Sequence, residues 1–179
     1  MKILLLLITV SALLAQETRR DVITPAANPA DDAKSNSDKV PDVYAIPGHF
    51  EKVVILRFKN GADLLAGIES MVKQERIRNG VILSALGSVT SYHVHQVSNR
   101  SFPSRDTFEK NPTGAADLIG MNGYVINGRV HAHITLANPD KAFGGHLEPG
   151  TAVFTFAVVT IGVLNDGIDI TQVDNKSYR

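Results

Sequence analysis

The residues of this chain best suited to chemistry are three histidines in the run VHAHITLANPDKAFGGHLEPG: His131, His133 and, after a Gly144-Gly145 pair, His146. Side chains two apart on a strand share a face, and at about 3.3 Å of rise per residue the first two would start roughly 6.6 Å apart. Imidazoles leaning in from that separation can share one metal ion. A third, delivered by a glycine turn, would complete a three-nitrogen face and leave a fourth position for water or substrate, the arrangement of catalytic rather than structural zinc. A water on such an ion acidifies towards a pKa of about 7, and the ion can polarise a carbonyl or phosphoryl group. The cofactor expected is therefore zinc or another divalent transition metal on His131, His133 and His146. Isolated strand histidines are more often surface or packing residues, but three in this pattern favour a metal site.

Other candidates are weaker. Glu148 and Asp140 are the acid/base groups nearest in sequence, and Asp117, Tyr124 and Arg129 lie on neighbouring strands; none is singled out by spacing, and Glu148 reads first as a solvated turn carboxylate. His93 and His95 share a face in an alternating segment. Gly87-x5-His93-x-His95 copies the start of a cupin metal motif, but Gln96–Arg100 lacks the glutamate that should follow. The pair is expected to line the same pocket, form a second metal site or lie on an exposed face. His49, beside Pro47-Gly48, is expected to be structural or exposed.

The elements that must position these residues follow from patterning. Lys52–Lys59 is rich in β-branched and apolar residues, as in a strand. Leu64, Leu65, Ile68, Met71 and Val72 recur at helical spacing within Ala62–Ile77. Strands are expected at Val81–Leu86, Thr90–Val97, Asp117–Met121, Gly123–Ile126, Arg129–Leu136, Lys141–Leu147 and Thr151–Leu164, with Asn127-Gly128 a hairpin signal. Residues 99–113 read as loop, and Ile168–Val173 follows a turn at Asn165-Asp166-Gly167 as a last strand. One main amphipathic helix and about eight strands imply a single α+β domain with a mainly antiparallel sheet.

Composition narrows the function classes. With 44% hydrophobic residues, the 179-residue chain can bury a core. Lys and Arg number 18 against 18 Asp and Glu, and residues 48–179 are nearly as balanced, which disfavours nucleic acid as a partner. With no cysteine, disulfides and thiolate metal sites are excluded. Residues 1–15 pair Lys2 with an apolar run from Ile3 to Ala15, too short to span a bilayer as a helix, and read as a signal peptide. The protein is thus expected to be secreted or periplasmic, without a stable membrane anchor. Residues 16–43 are polar, contain three prolines and read as a disordered linker to a domain over 44–179.

Three stretches carry a family resemblance: Gly80-Val-Ile-Leu-Ser-Ala-Leu-Gly-Ser-Val89, Leu118–Val125 with Gly123, and His131-Ala-His-Ile-Thr-Leu-Ala137 with Gly144-Gly-His-Leu147 and Gly150. Over roughly Gly48–Asp174 the chain resembles the PPC (DUF296) domain in its stand-alone bacterial form. That resemblance implies an α/β domain with a mainly antiparallel sheet, a homotrimer, and a metal, zinc above others, on the histidines at 131, 133 and 146. Some members are associated with DNA through AT-hooks, whose Arg-Gly-Arg-Pro core is absent here. Three functions stay open: a metal-binding domain that binds or transforms a small ligand, a DNA-binding or regulatory protein, and a non-catalytic trimeric interaction domain rigidified by metal. Whether the protein is an enzyme is left undecided by the sequence.

Overall fold

The computed structural model describes residues 19–23, 38 and 40–174. The proposed signal segment lies outside them, as does most of the 16–43 linker. The described chain contains one helix, α1 (Leu64–Gln74), and nine strands: β1 (Arg19–Ile23), β2 (Phe50–Lys59), β3 (Gly80–Val89), β4 (Tyr92–Val97), β5 (Asp106–Asn111), β6 (Ala116–Ile126), β7 (Arg129–Ala137), β8 (Ala142–Leu147) and β9 (Val153–Leu164). They form one sheet in the order β1-β5-β4-β8-β7-β6-β3-β9-β2, antiparallel at every pairing. The α+β, mainly antiparallel architecture expected from the sequence is the one observed.

Helix α1 starts where Asp63 caps it, its carboxylate accepting a hydrogen bond from the Ala66 N–H at 2.9 Å. The other oxygen of Asp63 accepts from the Gly150 N–H at 2.7 Å, so one side chain ties the helix to the β8–β9 turn. Leu64, Ile68 and Val72 are the buried stripe of α1, and the helix packs on β2 and β7. Full burial of such a side chain contributes about 1.5–3 kcal/mol relative to exposure. The same face of β7 buries Ala132, Ile134 and Leu136. Strand alternation therefore sends His131 and His133 to the face turned away from the helix.

Several expected elements are corrected. Residues 99–113 are not all loop: Asp106–Asn111 pairs with β4 as β5, Val94 opposite Glu109 and His95 opposite Phe108. Its sequence, DTFEKN, gives few apolar positions and only Glu109 is buried; its extended conformation is held by pairing with β1 and β4. Asp117–Met121 and Gly123–Ile126 are one strand, β6. Ile168–Val173 forms no strand; it runs as turns, anchored by the Asn79 amide donating to the Ile168 carbonyl at 3.0 Å. Within the polar stretch expected to be structureless, Arg19–Ile23 pairs with β5 as an edge strand, and Arg20 Nε meets Glu109 Oε2 at 2.9 Å.

Candidate metal centre

The site grows from three adjacent strands. Registers place His133 opposite His146 on β8, and His146 opposite His95 on β4, so three imidazoles stand in a row across β7-β8-β4. His131, two residues along β7, completes the group. One nitrogen from each of His131, His133 and His146 lies within 4.8 Å of the others. The Nε2 atoms of His131 and His133 are 3.3 Å apart. Two nitrogens bound at about 2.0–2.1 Å to a tetrahedral zinc would be separated by roughly 3.3–3.4 Å, so the donor set fits such an ion in both chemistry and spacing.

The glycines act differently from expectation. Gly144 and Gly145 lie inside β8 rather than in a turn. A Cβ at Gly144 would run into the Ile134 carbonyl of β7, and one at Gly145 into the His95 carbonyl of β4. The pair lets β8 sit tightly between its neighbours, which places His146 between His133 and His95. His146 stacks on His95 with centroids 4.5 Å apart and meets His131 and His133 edge-on at 4.8 and 5.3 Å.

Two carboxylates flank the cluster. Asp174 Oδ2 lies 3.0 Å from His131 Nδ1, and Glu148 Oε1 lies 2.7 Å from His95 Nδ1. With Nδ1–H donating to Asp174, the Nε2 lone pair of His131 is left free towards its partners, the carboxylate–imidazole arrangement that orients metal ligands. Arg129 Nη2 stands 3.7 Å from the same Asp174 oxygen. Burial first, then the neighbouring imidazoles His95, His131 and His133, pushes the His146 pKa down to about 4, with Asp174 opposing. Burial and the charges of His131 and His95 lower that of His133. Both rings are thereby held neutral at neutral pH, the form that donates a lone pair to a metal.

The structure sorts the remaining candidates. Glu148, read from the sequence as a solvated turn carboxylate, is instead paired with His95. His95 joins the cluster, whereas His93 donates from Nδ1 to the Pro149 carbonyl at 2.9 Å and braces the β8–β9 turn. Tyr124 lies opposite His131 and lines the adjoining cleft. Asp117 pairs in register with Ala137 at the far end of the hairpin, and Asp140 sits in the exposed Asn138–Asp140 turn; neither reaches the cluster. His49 is exposed and contacts Asn165 at 3.2 Å. Asp174 was missed by sequence reasoning: nothing in its local pattern marks a residue after the last strand as a partner of β7. Beside the cluster a cleft of about 400 Å³ is lined by His131, His133, Asn122, Tyr124 and Asp174, with apolar Val81 and Ile126.

Residues 46–165 match the model of the Plants and Prokaryotes Conserved (PCC) domain. The chain belongs to the PCC domain family. As a PCC domain it shares its fold with the metal-containing protein AF0104 from Archaeoglobus fulgidus, at TM-score 0.58 and 20% identity over 69% of this chain and 86% of that one. The plant- and prokaryote-conserved (PPC) protein of Pyrococcus horikoshii superposes at TM-score 0.56 with 22% identity, covering 69% and 85%. In sequence, the bifunctional protein GlmU of a Synechococcus strain is 26% identical over 129 residues, 72% of this chain. This PCC domain protein spans only 18% of that relative's length.

Proposed function

We propose that this PCC domain holds a divalent transition metal, zinc above others, on His131, His133 and His146, and binds a small ligand in the cleft beside it. The observation that carries this reading is the convergence of three imidazole nitrogens within 4.8 Å on one sheet face, two of them at tetrahedral spacing. The similar fold of a protein described as metal-containing supports it. When bound, such an ion supplies a Lewis acid for a carbonyl or phosphoryl oxygen. The chain's own residues do the rest: Asp174 fixes the tautomer of His131, while Asn122 and Tyr124 line the space where a ligand would sit. A cleft of about 400 Å³ is within the range of small-molecule sites, on the order of 300–1,000 Å³.

The same reading takes the protein to be exported, on the strength of residues 1–15, and to assemble as a homotrimer. Exposed Val53, Ile55, Leu83, Leu86, Phe154 and Phe156 on β2, β3 and β9 support burial of that face against another copy. Balanced charge argues against a DNA-binding role. Elemental analysis of untagged protein tests the metal: about one zinc or similar ion per chain is expected, lost in His131→Ala and in His146→Ala. Unchanged metal content in both variants would overturn the reading.

A further inference from the structure

A second donor set shares a residue with the first. One ligand atom from each of His95, His146 and Glu148 lies within 4.8 Å of the others. The geometry points to an alternative cation seat, made of two imidazoles and one carboxylate, that competes with the three-histidine seat for His146 and selects harder ions.

Placement supports this. His95 and His146 are direct cross-strand partners with stacked rings. Glu148 follows two residues after His146, where its backbone N–H donates to the His93 carbonyl at 3.0 Å and fixes its position. The side chains of His95 and Glu148 keep about a fifth of their surface exposed (23% and 22%), so an ion can reach them from solvent. Phe108 packs on the far side of the His95 ring with centroids 4.8 Å apart, which limits how that ring can turn.

The donor chemistry separates the two seats. Three neutral imidazoles suit zinc and its softer neighbours, whereas a two-histidine, one-carboxylate set, though it also accepts zinc, adds the charged oxygen donor that Mn²⁺ and Fe²⁺ favour. Coordination at His95 Nδ1 moves the ring proton to Nε2, so the imidazole stays neutral and no proton is lost. A neutral imidazole has a single lone pair, so His146 serves one ion at a time. The two seats are therefore alternatives, and the identity of the ion decides which is filled.

This inference depends on the proposed three-histidine seat only for the competition. The test uses full-length, untagged, chelator-stripped protein, with Mn²⁺ binding followed by electron paramagnetic resonance and zinc content measured in parallel. Glu148→Gln is expected to weaken Mn²⁺ binding by about tenfold or more while retaining zinc. The His131→Ala/His133→Ala double variant is expected to bind zinc more weakly and keep Mn²⁺. In the unaltered protein, stoichiometric zinc should displace Mn²⁺, a measurement that needs no variant to fold. Mn²⁺ affinity unchanged in Glu148→Gln, or Mn²⁺ and zinc bound together without competition, would overturn the alternative seat. Zinc bound as tightly in the double variant as in the unaltered protein would instead overturn the three-histidine seat as the one zinc prefers, and leave the Mn²⁺ result to stand by itself.

Discussion

At the residue scale, the cluster is four imidazoles and two carboxylates on one sheet face, and its protonation is set by crowding. His146 titrates near 4 because burial and three neighbouring imidazoles disfavour its charged form. Its unfolded value is about 6.5. The unfolded chain thus binds more protons between these values, so the ring's contribution to stability is fully present above about 6.5 and is lost as pH falls towards about 4. Metal-free protein, unfolded thermally in the presence of a chelator, should show a falling Tm across that window. The fall should be shallower in His146→Gln than in the unaltered chain, and equal slopes would contradict this account. Residue types were the most legible part of the site. Period-two spacing showed that His131 and His133 share a face, because that follows from strand geometry alone. His95 and Glu148 could be suspected but not joined, since their 2.7 Å contact depends on β4 lying beside β8, a pairing between strands distant in sequence. Asp174 had no local signal at all.

At the scale of elements, β8 is the unusual member. It has six residues, two of them glycines, and it separates β4 from β7. Glycine in a strand interior loses side-chain packing and conformational entropy, and is kept where another backbone must come close. Both neighbours do so here, through the carbonyls of Ile134 and His95. Gly144→Ala must therefore displace β7 or β8. An expected cost is about 1–3 kcal/mol, the usual range for overpacking, read as a lower urea midpoint. Metal content should fall with it, because His146 rides two residues along the same strand; an unchanged midpoint with full metal would refute the close-approach role. The Gly-Gly pair looked like a turn in the sequence because glycine pairs usually punctuate strands, and only the crowding from two flanking strands reverses that reading. Helix α1 was legible because its apolar periodicity is imposed by one buried face, and the long strands β2, β7 and β9 through their runs of β-branched and apolar residues. β5 was not, because an edge-side strand with residues such as Asp106, Thr107, Glu109 and Lys110 owes its conformation to its partners.

At the scale of the whole molecule, the described sheet has one face on which α1 packs, against β2 and β7, and another that divides in two. The histidine cluster occupies the β4-β8-β7 side. The β3-β9-β2 side exposes Val53 and Ile55 on β2, Leu86 on β3 and Phe154 and Phe156 on β9, with the Arg57 guanidinium 5.3 Å above the Phe156 ring. Registers make this continuous: Ile55 faces Thr160, while Val158 lies between Leu86 and Arg57 across three adjacent strands. Ile55 is 68% exposed and Leu86 55%, large fractions for side chains that gain about 25 cal/mol for each Å² of apolar surface removed from water. Apolar surface continuous over several strands marks an interaction face more often than a free surface. Self-association, as proposed, would cover it without calling on charge, which the balanced composition does not offer in excess. Light scattering on the unaltered protein should therefore give a solution mass of several chains, three if the proposed trimer is right. Ile55→Glu combined with Leu86→Glu should drive that mass down to a single chain, because carboxylates buried in an apolar interface without partners carry a desolvation cost that separation relieves. Metal content should survive the double substitution, since neither residue touches the cluster; its loss on dissociation would instead place a neighbouring chain within the metal centre. A single-chain mass for the unaltered protein would remove the assembly from the proposal and leave the apolar face for a different partner.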